Sequence, residues 1–340
     1  MRIDPLEYVR PRTREEALGL LAQHGAEAKV LGGGSDLVAR MKLGIVNPKI
    51  VIDLGDIAEL RSIREDEEGL TIGAGTPLQV VEHSPAVVAR YPSLAIAAAS
   101  VASLQIRSRA TLAGNVCLET MCWFYNQSRQ WKKSRPLCYK AGGEPCHVVN
   151  KPGVCYATYR GDTAVALMAL GAQAVVQAQG QERQLPLEEL FTGEGKTPLN
   201  LDPTEMLTEL RIPAPPAASG NAYCKVSHRK AVDYPQAGVA AAVVLSPDKK
   251  TCVAARIVLG AVGPGPIRAV EAEAALQGQA LTEEVLERAA QAAVSVARPV
   301  NNMTFGAPAY RRKMVRVLGL RALRAAVEQA CQDSACGGDQ

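Results

Sequence analysis

Aromatic residues are scarce in this 340-residue chain: three Phe and two Trp stand among many Ala, Val and Leu. The interior must therefore be filled with small aliphatics. No aromatic-basic stripe is present, and neither sign of charge dominates, with 38 Lys and Arg against 34 Asp and Glu. That balance excludes a nucleic-acid surface. No run approaches the ~20 apolar residues needed to cross a bilayer, and the Ala-rich "LAIAAASVAS" is too short. The opening "MRIDPLEYVRPRTREEALGLL" has scattered charges and no apolar core before a small-residue cleavage site, so a cytoplasmic chain without membrane contact is expected. The histidines, His24, His83, His147 and His228, are isolated, and no nucleophile sits beside a base. A reaction carried by this chain alone is not expected, and no catalytic residue is assigned. Repeats are absent, and the one low-complexity piece is the tail "CQDSACGGDQ", with Cys331 and Cys336.

What is present is enough chain for two or three subdomains, since single cores stop growing near ~250–300 residues. Thr13 is placed to cap a helix from Arg14 to His24, which leads to a short strand ending in three glycines and a helical turn;. "KIVIDLGDI" reads as a strand and "LRSIREDEEGLTIGAGT" as a hairpin. Helical patterns follow from Pro77 to about Ser103, broken at Pro85 and Pro92; "RATLAGN" reads as a turn. A helix at "DTAVALMALGA" and a hairpin at "AQAVVQAQGQERQLP" come next. The prolines and small residues of "IPAPPAASGN", 212–221, mark a linker;. Strands and then helices beyond it describe an α+β domain. The expected division is a bilobal unit over 1–217, a second domain over 218–330 and a disordered tail over 331–340.

The triple glycine carries the first chemical inference. In "LGGGSDL", Gly32, Gly33 and Gly34 can take positive φ and turn successive amides toward one point, while Ser35 adds a hydroxyl;. Such a turn cradles phosphate, although it lacks both the Lys of GxxxxGK[ST] and the spacing of GxGxxG. The alternative is a glycine turn made for tight strand-to-helix packing. Two further small-residue turns, "TIGAGTPL" and "RATLAGNV" with Thr111, Gly114 and Asn115, suit a ligand long enough to touch several loops, such as a dinucleotide.

"VLGGGSDLVARMKLG", "IDLGDI", "TIGAGTPL", "RATLAGNV" and "GDTAVALMALGAQAVV", in this order, resemble the FAD-binding medium subunits of the molybdenum hydroxylases, the xanthine dehydrogenase group. "YCKVSHRKAVDYPQAGVAAAVVL" resembles the C-terminal domain of the same flavoproteins. The resemblance implies a two-lobed α+β FAD-binding domain of PCMH type and a smaller α+β domain closing over the flavin. It puts the diphosphate on Leu31, Gly32, Gly33, Gly34, Ser35 and Asp36, and the flavin beside Thr111, Gly114 and Asn115. Asp162 would accept from ribityl or adenosine hydroxyls, its alternative being a helix N-cap. Lys225 would stand near the isoalloxazine edge, its alternative being a solvated strand lysine. Partners implied are a large molybdenum-cofactor subunit and a small [2Fe–2S] subunit, as a dimer of heterotrimers.

An insertion at about 117–158 departs from most of that family and holds Cys122, Cys138, Cys146 and Cys155. The spacing C-x15-C-x7-C-x8-C has no tight C-x2-C pair;. Four thiolates can bind Zn²⁺ or a [4Fe–4S] cluster, and free structural cysteines are the plain alternative. Lys132, Lys133, Arg135, Lys140 and Lys151 would offset a cluster's negative charge or form a solvated or docking face. The string "CWFYNQS…C…CHVVNKPGVCYATYRGD" is similar to the 4-hydroxybenzoyl-CoA reductase branch, which implies a [4Fe–4S] cluster on the four cysteines, with Cys117 as a competitor for Cys122. It also implies anaerobic degradation of aromatic compounds, with a ferredoxin-like donor feeding the cluster, FAD and the partner centres in turn. Two rivals stand beside it: an NAD-linked subunit oxidising an N-heterocycle or aldehyde, and a zinc-stapled assembly subunit without flavin.

Overall fold

The computed structural model describes residues 3–229, 231–301 and 306–332. Helix α1 (Arg14–His24) begins where Thr13, in extended conformation, accepts a hydrogen bond from the Glu16 amide;. Its buried Ala17, Leu18 and Leu21 pack on a parallel three-stranded sheet of order β1-β3-β2, made from β1 (Glu7–Val9), β2 (Ala28–Leu31) and β3 (Ile50–Asp53). Every residue of central β3 is buried, as a continuous apolar run requires;. The glycine loop and α2 (Leu37–Lys42) connect β2 to β3.

The second lobe is an antiparallel five-stranded sheet of order β4-β5-β8-β6-β7. Its strands are β4 (Ile63–Glu65), β5 (Gly69–Gly73), β6 (Gln173–Ala178), β7 (Gln181–Pro186) and β8 (Met206–Pro213). Helices α3 (Leu78–His83), α4 (Pro85–Arg90) and α5 (Pro92–Ala99) follow β5. Pro85 and Pro92 occupy the first turns of α4 and α5, where a missing amide hydrogen costs nothing;. Then come α6 (Leu104–Arg107), α7 (Leu112–Val116), α8 (Arg129–Lys133) and α9 (Asp162–Ala169). The expected turn at "RATLAGN" is in fact the start of α7, because Thr111 accepts from the Gly114 amide and caps a helical turn. Helix α9 is buried along its whole length, between the lobe and the second domain.

That domain is an antiparallel sheet of order β12-β11-β10-β9, from β9 (Ser219–Val226), β10 (Ala237–Leu245), β11 (Cys252–Gly260) and β12 (Ile267–Arg268). It carries α10 (Val270–Ala274), α11 (Glu283–Ala292) and α12 (Pro308–Gln332). Helix α12 buries Val315, Leu318, Ala322, Ala326 and Ala330 on β9 and β10, at the spacing one helical face demands;. Gly220 permits the close approach: a Cβ there would lie 2.0 Å from the Ala326 carbonyl oxygen. The linker is shorter than composition implied, because β8 runs to Pro213 and β9 starts at Ser219. Helix α12 also continues through Cys331 to Gln332, into the expected tail; Cys336 lies outside the described residues. Asn221 joins the domains, its side-chain oxygen accepting from the Ser93 amide and its nitrogen donating to the Arg90 carbonyl.

Candidate flavin cleft and four-cysteine lobe

The glycine loop leaves the end of β2 and packs face to face against residues 109–114. A Cβ on Gly33 would lie 1.8 Å from the Arg109 carbonyl oxygen, and one on Gly32 would lie 2.7 Å from Thr111 Oγ1. Gly34 has φ +75°, a conformation that side chains resist;. Gly32 and Gly33 are thus demanded by contact with a distant chain segment rather than by strand-to-helix packing, and the cleft opens beside that contact. The turn at 73–76 lines no part of the cleft. It backs the 109–114 segment instead: Leu112 N–H donates to Thr76 O at 2.9 Å and Ala113 N–H to Ala74 O at 3.1 Å.

Two cavities meet at this place. One, about 1430 Å³ including its mouth, is lined by Gly32 to Asp36, Arg40 and Thr111 among others. The other, about 740 Å³, is lined by Asn115, Arg160 and Asp162 and by Val232 to Tyr234 of the second domain. They share Ser35, Asp36 and Gly114, so an elongated ligand can run from one into the other. Leu31 and Lys225 line neither cavity. Leu31 instead supports the loop, its Cδ1 lying 3.2 Å from where a Cβ on Gly34 would be.

Behind the second cavity is a buried polar network. Asp162 accepts from the Tyr223 hydroxyl at 2.6 Å and from Lys225 Nζ at 3.1 Å, and Lys225 also donates to the Ser100 carbonyl at 2.8 Å. Burial raises the Asp162 carboxyl above its ordinary value, and Lys225 and Tyr223 pull it back. Neither alternative for this pair holds. Asp162 makes no capping bond, because Asn115 Oδ1 accepts from the Thr163 amide and hydroxyl, and Lys225 is a buried ion-pair partner. Arg160, which sequence reasoning missed, brings its guanidinium 5.1 Å from the Tyr234 ring; burial lowers it to about 9. Only its place two residues before Asp162 pointed to it.

The insertion is pinned at its base, where Met121 and Thr158 exchange backbone hydrogen bonds of 2.8 and 3.0 Å. Inside it, Cys122, Cys138, Cys146 and Cys155 all line one small, nearly filled pocket. None is in a disulfide. Burial pushes the Cys122 thiol up to about 11 and raises that of Cys155, which Lys140 draws down. Cys117 is not in this group: it lines the glycine cleft, with its thiol pushed up by burial to about 12. Among the described residues, no three or more of His, Cys, Asp and Glu are arranged to hold a single metal ion.

The lobe has aromatic packing of its own. Both tryptophans of the chain, Trp123 and Trp131, lie in it. Phe124 packs on Trp131 and His147 with ring centroids 6.4 and 5.4 Å apart. Arg135 covers Trp131 at 3.7 Å, while Lys132 and Lys140 flank the Tyr125 ring at 4.9 and 5.0 Å;. Residues 122–155 carry six Lys and Arg against one acid, Glu144, a larger positive excess than the whole chain's +4. Arg135, Lys133 and Lys151 are exposed, whereas Lys140 is 3% exposed and bonds to Glu119 and the Gly195 carbonyl, each at 2.7 Å.

A bilobal domain with a glycine cradle, followed by a smaller domain that completes the cleft, defines a dinucleotide-binding flavoprotein architecture. Sequence comparison agrees: residues 4–215 match the FAD binding domain in molybdopterin dehydrogenase and 222–326 the CO dehydrogenase flavoprotein C-terminal domain. The chain belongs to the FAD-binding medium subunits of the molybdenum hydroxylase family. It is 32% identical to the carbon monoxide dehydrogenase medium chain of Hydrogenophaga pseudoflava over 94% of this chain and 96% of that one. It is also 32% identical to the aldehyde oxidoreductase FAD-binding subunit of Escherichia coli, over 79% and 85% of the two chains. A solved carbon monoxide dehydrogenase from Hydrogenophaga pseudoflava superposes with a TM-score of 0.79, covering 97% of this chain and 99% of that chain.

Proposed function

We propose that the chain is the FAD- and [4Fe–4S]-binding electron-transfer subunit of a molybdenum-containing 4-hydroxybenzoyl-CoA reductase. It is an oxidoreductase subunit, and the molybdenum site lies on a partner. The observation that carries the finer reading is the convergence of Cys122, Cys138, Cys146 and Cys155 on one cavity inside the lobe. The donor set suits the group: four unbridged thiols and a buried lysine beside them, with no carboxylate lining the cavity. Zinc is the other group that four thiolates can hold, and iron and sulfide analysis separates the two.

When bound, FAD and the cluster would supply one-electron transfer to and from the partner centres. The chain's own residues bind and orient. Gly32 to Asp36 would hold the diphosphate on backbone amides, with Leu31 supporting the loop and Thr111, Gly114 and Asn115 forming the wall toward the flavin;. Asp162 and Lys225 would set the electrostatics behind the ring from within a buried network. The domain boundary falls near residue 217, and the partners are a large molybdenum-cofactor subunit and a small [2Fe–2S] subunit, two heterotrimers together. A ferredoxin-like acidic donor suits the exposed positive charge of the lobe;.

Iron, sulfide and flavin analysis of the purified subunit, with its absorbance spectrum, tests this reading. Four irons and one FAD per chain are expected. Flavin without iron would leave an ordinary hydroxylase subunit of the kind that the relatives' names favour, such as caffeine dehydrogenase. A colourless protein would end the flavin reading altogether.

A further inference from the structure

Arg40 stands on α2 one turn beyond the glycine loop and lines the same cleft. Its side chain is 14% exposed. Nη2 donates to Glu119 at 3.2 Å, and Nη1 lies 3.8 Å from the Asp36 carboxylate. Nε is buried and has no hydrogen-bond partner among the described residues. A buried donor on a charged group left without an acceptor keeps its full desolvation cost. An acceptor in the cleft would remove that cost, and a guanidinium is suited by shape and charge to a phosphate oxygen.

Glu119 does not stop at Arg40. The same carboxylate accepts from Lys140 Nζ at 2.7 Å, and the Tyr125 hydroxyl comes against Arg40 from the lobe. Alternating charges therefore run Asp36, Arg40, Glu119, Lys140, from the glycine loop to the edge of the four-cysteine cavity. We infer that Arg40 is a binding residue for a phosphate of the dinucleotide and, through Glu119 and Lys140, ties that phosphate to the cysteine lobe. The inference rests on the glycine cleft being the dinucleotide site.

The flavin-free full chain is titrated with FAD and, separately, with riboflavin, which has the same ring and no phosphate. Arg40→Met is expected to raise the FAD dissociation constant at least tenfold while leaving that of riboflavin within twofold. Arg40→Lys, which keeps the charge but loses the fork, is expected to fall between the two and serves alone should Arg40→Met not fold. In the wild type, ADP is expected to slow amide hydrogen exchange over residues 119–141, and in Lys140→Met that protection is expected to disappear. Equal losses for FAD and riboflavin would reduce Arg40 to a structural role, and unchanged exchange on adding ADP would remove the tie to the lobe. A wild type that binds no FAD would instead overturn the cleft assignment on which the inference stands.

Discussion

Lys225→Met is expected to destabilise the chain by about 3–5 kcal/mol near pH 8, the cost of removing one partner from a buried ion pair. The range applies because both side chains are withdrawn from water, Lys225 to 10% and Asp162 to 4% exposure, at a separation of 3.1 Å. What remains is a buried carboxylate with only the Tyr223 hydroxyl to answer it. Burial already raises the Asp162 carboxyl in the native protein, and the Lys225 charge opposes that rise. A carboxyl raised on folding takes up a proton more readily in the native state, so its ionised form costs stability above the folded value and nothing below the unfolded one. Removing Lys225 widens that window upward. The deficit of Lys225→Met relative to wild type should therefore shrink as the pH falls from 8 toward 5. Urea denaturation at several pH values, with flavin saturation equal in every sample, reads this directly. Asp162→Asn added to Lys225→Met should recover part of the loss, since no buried charge is then left alone. A deficit that is flat with pH, or a double variant as unstable as the single one, would refute the reasoning.

Cys138→Ser should lower iron by a cluster's worth while FAD stays bound; unchanged iron by metal analysis would remove Cys138 from the ligand set. Gly34→Ala should cost about 1–2 kcal/mol through its left-handed backbone and weaken FAD binding, because φ is +75° and Leu31 and Val38 crowd the added carbon; an unchanged denaturation midpoint would contradict that conformation. Replacing residues 122–157 by Asn-Gly should give a folded, flavin-containing and iron-free chain, since Met121 and Thr158 already face each other as an antiparallel pair;. Loss of flavin from that variant would show that the lobe is needed for the cleft.

Local signals were legible where one interaction decides the outcome. The Thr13 cap, the hairpins and the helices starting at Pro85 and Pro92 each depend on residues a few positions apart. The roles of the glycines were less so. Gly33 reads as room for a phosphate, yet the 1.8 Å approach of a Cβ to the Arg109 oxygen makes Gly33→Val first a packing defect. Sequence spacing cannot tell whether a glycine makes room for a phosphate or for another piece of chain 76 residues away. The Asp162 and Lys225 partnership was equally hidden, because it joins α9 to β9 across the domain boundary. Arg40 and Arg160 escaped notice for the same reason: what distinguishes them is burial.

The position of the lobe follows from the chain's connectivity. It leaves the fold just after α7, whose cap and first turn supply Thr111, Gly114 and Asn115, and returns just before Arg160 and Asp162. The ends of the lobe thus adjoin Asn115 on one side and Arg160 and Asp162 on the other, residues that line the second cavity together with Val232 to Tyr234, and the Met121–Thr158 bridge keeps those ends together. Under the proposed cluster assignment, a group held by the four cysteines would sit in a lobe that joins the chain beside the cleft because of where the insertion occurs. The contacts that do exist, from Lys140 to Glu119 and from Glu119 to Arg40, then restrict how the lobe can tilt. Insertion elsewhere in the five-stranded sheet, for instance at the β6–β7 turn, would place the same thiols at the end of a hairpin whose residues line neither cavity.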